Sequence, residues 1–493
     1  MALAVVAALA VTLLRVGLRR RLEPVVATPA ARWRPGDVTL LLVVTGVALV
    51  TRLIGLESRA IDNDEPVGLG LRSLAAWASE SDARLHPPLP ALLMTWLGGE
   101  GDIAAARSVS VLAGVGTVAL AFAVVRASAG RGLAGLAALW LAAMPAAIHT
   151  SQLARGYALC ALGLLAAHAC LEKALATGRE RWFVLHSLAA LLALASEYWA
   201  LPPLLASGAL ALLGARGSRS LGVGVIGSLG AALTLSSIFA PHALPTLWLG
   251  VGGGPHVPTG PGRALWDALA LASGPAAPMG ALLALSLIVA AARRRTLGRA
   301  ELAAAGAVGA LVVTLLAASF VTAVRARYLL PVLPLFVCLL VAGARGIGAL
   351  GVGAVALGHV SLLPAFYAGT APGPEISTGE RAPRILALLA ADPTTPVAVI
   401  PAWSIAEVSY RLEGRFPDKG TGPCPAELCV RGKRTIYGAT HQHISQLTSQ
   451  ESSIYLWVRN RDTWTRECEQ VAVEARSVLF RCQQKRTSER PSD

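Results

Sequence analysis

Acidic and basic side chains recur at the ends of apolar segments, where a membrane would meet water. Asp64 and Glu65 follow one apolar run, and Arg155 and Arg327 stand at the start of two later runs. Ionisable groups at membrane depth are costly and by default mark a functional site. An interfacial carboxylate can remove a proton from a hydroxyl, and guanidinium groups can bind a phosphate through paired hydrogen bonds. These residue types together suit the transfer of a group from a lipid-linked phosphate to a hydroxyl.

Further polar residues between the same apolar runs are candidates for binding the donor phosphate or the substrate. They are His86, Arg107, Tyr157, Tyr198 and Tyr328. Arginines and tyrosines at span ends can instead anchor a helix at the lipid headgroups. The adjacent acids can be a solvated loop pair, or they can hold a divalent cation through their oxygens. The sequence leaves these alternatives open, and the shared placement of the residues favours a site.

The composition indicates that this chain lies in a membrane. Of its 493 residues, 54% are hydrophobic and 15% are charged, whereas soluble domains carry roughly 25% charged residues. We predict an all-α polytopic membrane helical bundle of about eleven or twelve transmembrane helices, because apolar runs that cross lipid must satisfy their own backbone. The predicted spans are 1–18 (a span or an anchor), 38–55, 103–125, 132–148, 156–175, 182–197, 199–214, 220–240, 266–292, 300–320, 328–344 and 347–365.

Arginine clusters give these spans a direction. The net charge of +14 comes largely from arginines between apolar runs rather than from a basic tract with aromatics, so we expect no nucleic-acid partner. Cytoplasmic loops carry the excess of positive residues. The clusters fall on alternate loops, at Arg19–Arg21, Arg126 and Arg131, Arg179 and Arg181, Arg216 and Arg219, Arg293–Arg295, and Arg345. The loop 56–102, the turns 149–155, 241–265 and 321–327, and the tail after residue 366 then face outward.

Three regions follow from this pattern. They are an N-terminal span or anchor with a basic cytoplasmic loop (1–37), a transmembrane catalytic region (38–370) and a small extracytoplasmic α/β domain (371–493). Strands are predicted at 397–401, 435–439, 453–458 and 471–482, and a helix at 404–414. The tail holds Cys424, Cys429, Cys468 and Cys482, which permit three pairings, and an extracytoplasmic location favours disulfides. A zinc site is disfavoured because the tail has no C-x-x-C pair.

The order of the polar motifs resembles that of the GT-C glycosyltransferases, in particular the protein-mannosyltransferase and aminoarabinose-transferase type. The resemblance covers roughly residues 38–370. The matching motifs are Asp64-Glu65, His86-Pro87-Pro88-Leu89, Ala106-Arg107-Ser108, ARGYAL at 154–159, Glu197-Tyr198 and RYLLP at 327–331. Each motif is short, and their order, spacing and shared face carry the resemblance.

The resemblance implies an inverting transfer of a sugar from a polyprenyl-phosphate-linked donor to a hydroxyl of a lipid, glycan or protein. It places the active site on the periplasmic side of a bacterial-type inner membrane. Asp64 matches the general base of the family, and Glu65 matches a neighbour that helps with the acceptor or a divalent cation. Arg155 and Arg327 match positions near the donor phosphate.

Two other functions would use the same outward charges. A transporter or flippase for a lipid-linked or anionic solute would bind its cargo there, although such proteins often show internal repeats and charges in mid-span. A membrane scaffold would bind partners through its C-terminal domain and would not depend on Asp64, Arg155 or Arg327. The clustering of charges at span ends and the lack of a visible repeat favour the transferase.

Overall fold

Where the structure describes them, the apolar segments fold as helices close to where the sequence predicts them. The computed structural model describes residues 33–57, 65, 74, 86–98, 102–214, 219–237, 260–263, 299–318, 326–343, 348–367, 383–400, 408, 412, 428–431, 435–438, 447, 453–459, 468–474 and 477–483. The chain divides into two compact units. The first comprises residues 1–57, 71–98 and 103–376, and the second comprises residues 58–70, 99–102 and 377–493.

The first unit is helical throughout its described elements. Its α-helices are α1 (Pro35–Leu53), α2 (Pro88–Gly98), α3 (Ile103–Ala129), α4 (Arg131–Ala143), α5 (Pro145–Ser151), α6 (Tyr157–Thr177), α7 (Glu180–Leu194), α8 (Leu201–Gly214), α9 (Arg219–Ser236), α10 (Arg299–Ala318), α11 (Leu333–Gly343) and α12 (Gly348–Tyr367). Two 3-10 segments, Tyr198–Ala200 and Ala326–Val332, precede α8 and α11.

Several of these helices are long and apolar enough to cross a bilayer. Within the described residues they are Pro35–Leu53, Ile103–Ala129, Tyr157–Thr177 and Leu350–Tyr367, and α4 and α5 together form a fifth candidate that is bent by 61°. The predicted spans at 1–18 and 266–292 lie outside the described residues, so the expected total of eleven or twelve stays a prediction. The bundle is nevertheless that of a multi-pass membrane protein.

Antiparallel packing places the two ends of α1 against opposite ends of α3. At one end of α1 the Asp37 carboxylate forms an ion pair with Arg126 at 2.7 Å. At the other end Arg107 donates a hydrogen bond to the Leu56 carbonyl at 2.7 Å. Helix α6 packs against α3 and α7, and the core between them is rich in alanine. Small side chains let helices approach closely in lipid, where burial of apolar surface no longer drives their association.

The second unit is a six-stranded mixed sheet with a helix against it. Its elements are α13 (Pro383–Ala391), β1 (Val397–Ile400), β2 (Leu428–Arg431), β3 (Thr435–Gly438), β4 (Ser453–Arg459), β5 (Glu469–Glu474) and β6 (Ser477–Gln483). The strand order is β2-β3-β1-β4-β6-β5. Strand β1 is parallel to both β3 and β4, and the outer pairs are antiparallel. Ile385 and Leu389 of α13 pack on one face of this sheet, which confirms the predicted small α/β region.

The sheet differs from the sequence prediction at two places. The run 471–482, predicted as one strand, forms parts of β5 and β6, which pair as a hairpin from Gln470↔Phe480 to Glu474↔Ser477. A run of this length exceeds the usual strand of five or six residues, and folding it back satisfies two rows of backbone groups. Strand β2 was not predicted because LCVR is short and ends on a charge. Of the predicted helix 404–414, Val408 and Leu412 are described, and both are helical.

A disulfide joins Cys468, just before β5, to Cys482 of β6. Cys429 lies on β2, and Cys424 lies outside the described residues. The crosslink closes a loop with a sequence separation of 14. Such a loop restricts the unfolded chain and thereby stabilises the hairpin.

Replacing both cysteines, as Cys468→Ser/Cys482→Ser, is expected to lower the unfolding free energy of the second unit by about 2–4 kcal/mol. The measurement is the urea midpoint of the full-length chain. Cys170→Ser serves as the control, because Cys170 is a free cysteine of the first unit. A midpoint that the double substitution leaves unchanged would contradict a stabilising crosslink.

Candidate functional site

Several turns of the first unit meet at one end of its helices. The N–H of Leu89, in the first turn of α2, donates to the carbonyl of Ala195 at 3.3 Å. A Cβ added at Gly156, just before α6, would collide with the carbonyl oxygen of Ser196. The start of α2, the turn between α5 and α6, and the turn after α7 therefore pack directly on one another. Glu197 lies at the junction.

Glu197 is a buried carboxyl group among basic side chains from three elements. Its side chain belongs to a residue that is 6% exposed. Burial raises the pKa of Glu197 above its usual value, while the positive charges of His86, Arg155 and Arg327 and the N–H of Tyr198 oppose that rise. His86, Arg155 and Arg327 lie far apart in the sequence, but all three are near enough to Glu197 for their charges to act on its carboxyl group. We call Glu197 with these three residues the Glu197 cluster.

Arg155 is held by its neighbours on α3 and α6. The hydroxyl of Ser110 on α3 donates to the Arg155 carbonyl at 3.1 Å. The Arg155 guanidinium lies 5.4 Å from the centre of the Tyr157 ring, and its Nη2 donates to the Tyr157 hydroxyl at 3.5 Å. Both the backbone and the head group of Arg155 are therefore held in place.

Aromatic residues border the same place. Tyr157, Tyr198 and Tyr328 are all buried, with exposures of 3%, 3% and 9%. The Tyr328 ring stacks on Trp199 with centroids 5.2 Å apart, which joins the 3-10 segment Ala326–Val332 to the segment before α8. The predicted site tyrosines are thus part of the packed interior at this end rather than a belt facing lipid.

A small cleft of about 30 Å³ opens beside Tyr157. Its walls come from α1, α3, α4, α5, α6, the 3-10 segment Ala326–Val332 and α11, and they are mostly apolar. The polar residues among its walls are Arg52, Thr117, Thr150, Ser151 and Tyr157. Tyr157 is shared between this cleft and the Arg155 guanidinium, which donates to its hydroxyl.

Arg107 occupies a different position from the one expected of a headgroup anchor. It is fully buried on α3, and its Nη1 donates to the Leu56 carbonyl just after α1. This contact fixes the chain just after α1 against α3. A role for Arg107 in binding the donor phosphate stays a prediction.

The two predicted catalytic acids are described unequally. Asp64 lies outside the described residues. Glu65 is buried and helical, and it belongs to the second unit. Among the residues that the structure describes, no group of three or more His, Cys, Asp or Glu side chains could hold a metal ion. The roles of Asp64 and Glu65 in catalysis or cation binding therefore stay predictions.

Sequence reasoning undervalued Glu197 and missed two tight contacts. Glu197 was recognised within a motif, but its central position depends on burial, which no local pattern reveals. Gly156 is required by the approach of a backbone 40 residues later, and Gly114 by side chains on α5 and α1. The motif ARGYAL contains Gly156 and was the available signal for the first of these.

Comparisons with known proteins bear on the fold and on part of the sequence. The family model of the dolichyl-phosphate-mannose-protein mannosyltransferases matches residues 85–244. The crystal structure of ArnT from Cupriavidus metallidurans in the apo state is similar, with a TM-score of 0.55 and 14% identity over 90% of this chain and 98% of that chain. ArnT bound to undecaprenyl phosphate gives a TM-score of 0.58 and 15% identity over 91% and 98%. No curated protein sequence matches this chain.

The matched segment and the matched fold agree with the site geometry. Residues 85–244 include His86, Arg155, Tyr157 and Glu197, and the structural likeness extends over nearly the whole chain. The resemblance predicted from the sequence is confirmed at the level of the fold: the chain is a multi-pass membrane protein with the architecture of the GT-C glycosyltransferases.

Proposed function

We propose that the chain is a membrane glycosyltransferase that moves a sugar from a polyprenyl-phosphate-linked donor to a hydroxyl of a lipid, glycan or protein acceptor. The observation that carries this proposal is the Glu197 cluster, in which the charges of His86, Arg155 and Arg327 act on one buried carboxyl group where the turns before α2 and α6 and after α7 pack together. The likeness to a structure of ArnT bound to undecaprenyl phosphate supports the same class of donor.

The cations of the cluster suit the leaving group of this reaction. As the bond between the sugar C1 and the phosphate oxygen breaks, the polyprenyl phosphate gains negative charge. Fixed positive groups stabilise that charge most where water is excluded. Arg155 and Arg327 are suited to this role, because a guanidinium can hold two phosphate oxygens at once.

Glu197 keeps these cations together before the donor arrives. Arg155 and Arg327 favour the ionised form of Glu197 against the effect of burial, and the carboxylate in turn offsets the repulsion between the two guanidinium groups. The cluster is thereby organised in advance, so that less reorganisation accompanies phosphate binding. Glu197 is assigned this organising role and not the role of the base.

Asp64 is assigned the role of the general base. The acceptor oxygen attacks C1 of the sugar on the face opposite to the phosphate, its proton passes to the Asp64 carboxylate, and the configuration at C1 inverts. Glu65 would help to bind the acceptor. If a divalent cation takes part, the oxygens of both carboxylates would be its ligands. The outward loop 56–102 carries both acids, which supports an active site on the extracytoplasmic face.

Arg155→Met is expected to weaken the binding of undecaprenyl phosphate by about 10- to 150-fold, because a charge-assisted hydrogen bond contributes about 1.5–3 kcal/mol. Binding is measured by titration of the purified chain in nanodiscs. Arg131→Met is the matched control, since Arg131 begins α4 at the end of the bundle where the Asp37–Arg126 ion pair lies. Equal affinities for both variants and the wild type would contradict the phosphate site.

A further inference from the structure

Arg52 is a buried guanidinium inside the bundle, near the end of α1. It is 1% exposed, and it borders the cleft beside Tyr157. A charged residue within a transmembrane segment is costly and is retained for a reason. Two reasons are compatible with its position: it binds an anionic ligand in the cleft, or it holds the protein backbone.

The hydrogen bonds of Arg52 favour the second reason. Its Nε donates to the Ser151 hydroxyl at 3.2 Å, Nη1 to the Ala48 carbonyl at 3.1 Å and Nη2 to the Leu141 carbonyl at 3.2 Å. Nη1 also lies 3.4 Å from the Ala142 carbonyl. Each nitrogen of the guanidinium is therefore engaged by a neutral protein acceptor, so little donor capacity is directed at a ligand.

The acceptors need this donor because the span breaks at α4 and α5. The two helices are bent by 61°, and α5 begins with Pro145. In a continuous helix the carbonyl of Leu141 would accept from residue 145, but proline has no N–H to donate. Backbone groups freed at membrane depth must find a partner within the protein. Arg52 supplies that partner to Leu141, and the Thr51 hydroxyl lies 3.1 Å from the next free carbonyl, that of Ala142.

The bent span also donates hydrogen bonds to the end of α1. The side-chain amide of Gln152 donates to the carbonyls of Arg52 at 3.0 Å and Ile54 at 2.8 Å, so it caps the end of α1. The hydroxyl of Tyr367 donates to the Thr51 carbonyl. We call the mutual contacts of Arg52, Ser151 and Gln152 the Arg52 clamp.

We propose that Arg52 is a positioning residue, and that the Arg52 clamp fixes α5 against α1 so that the turn at 152–157 holds Arg155 and Tyr157 at Glu197. Arg155 lies only three residues beyond Gln152, so a shift of α5 moves its guanidinium directly. The purpose of this positioning rests on the proposed function. The existence of the clamp does not depend on it.

Helix α3 also touches the clamp, which provides a matched pair of substitutions. A Cβ added at Gly114 would collide with the Ser151 hydroxyl and lie 2.8 Å from Arg52 Nε. A Cβ added at Gly116 would lie 3.5 Å from the Leu162 side chain, which is an ordinary contact. Gly114→Ala therefore disturbs the clamp without removing a charge, and Gly116→Ala is its control on the same helix.

The test is hydrogen exchange of the full-length chain in nanodiscs, followed by titration with undecaprenyl phosphate. Arg52→Met and Gly114→Ala are expected to speed exchange of the amides at 145–157 by about tenfold and to leave α7 unchanged. Arg52→Lys is expected to behave like Arg52→Met, because a single ammonium cannot reproduce the fork. The same three variants are expected to bind undecaprenyl phosphate about tenfold more weakly, while Gly116→Ala matches the wild type.

Three results would overturn the proposal. Wild-type exchange in Arg52→Lys would show that charge matters and the fork does not. Faster exchange in every helix would show a general loss of stability, and faster exchange at 145–157 with normal binding of undecaprenyl phosphate would show a clamp that positions nothing. A wild-type chain that binds no undecaprenyl phosphate contradicts the proposed function instead, and the exchange data still decide whether the clamp exists.

Discussion

Asp64→Asn is expected to lower the rate of sugar transfer by about 10²- to 10⁴-fold, which is the usual contribution of a general base. Asparagine has the same size as aspartate, so the protein is still expected to insert into the membrane. Its amide cannot accept the proton of the acceptor hydroxyl. The binding of undecaprenyl phosphate is expected to stay within about twofold of the wild type, because Asp64 is assigned to the acceptor and not to the donor phosphate.

The control for this substitution lies two residues away. Asp62→Asn removes one negative charge from the same loop and is expected to retain transfer. The rates are compared in single turnover with a polyprenyl-phosphate-linked sugar, after equal amounts of folded protein have been verified by melting. A wild-type rate of sugar transfer by purified Asp64→Asn protein would contradict the assignment of Asp64 as the general base.

Gly156→Ala is expected to weaken donor binding by about 5- to 150-fold, because the new methyl group has no space. Its Cβ would collide with the backbone carbonyl of Ser196 and approach the Pro90 side chain to 3.0 Å. A backbone obstacle cannot rotate away, and accommodating an extra methyl in a packed site costs about 1–3 kcal/mol. The turn before α6 must move, and Arg155 then leaves the Glu197 cluster.

Gly132→Ala is the matched control for Gly156→Ala. A Cβ at Gly132 on α4 meets nothing within 4 Å, and alanine favours the helix more than glycine does. Titration with undecaprenyl phosphate at a temperature well below both melting points separates positioning from stability. Wild-type affinity in Gly156→Ala would show that the contact between the two turns does not organise the site.

The helices could be predicted because their signal is local. Runs such as 38–55 and 156–175 match α1 and α6 within a few residues, since the length of an apolar run alone determines whether it can cross lipid. The bend between α4 and α5 was not predicted, because the run 132–148 stays apolar through Pro145. Hydropathy does not register that proline lacks the N–H that a continuous helix needs.

The site could be predicted only as a set of residues on one face. The arginine count placed His86, Arg155 and Arg327 on the same side, but it carried no information about which of them meet. The position of Glu197 depends on three turns, at the start of α2, between α5 and α6 and after α7, that pack together although they lie far apart in the sequence. Arg52 gave one signal, a charge within the predicted span 38–55, but its partners across the bundle lie about 90 to 100 residues away, and no local pattern identifies them.

The most direct test of the central claim is transfer itself. Purified chain is incubated with a panel of polyprenyl-phosphate-linked sugars and with lipid, glycan and peptide acceptors, and the products are identified by mass. The account predicts an acceptor that gains the mass of one sugar residue, with the stoichiometric release of polyprenyl phosphate, and loss of both products in Asp64→Asn. Movement of the intact donor across proteoliposome membranes without any sugar transfer would contradict it and favour a flippase.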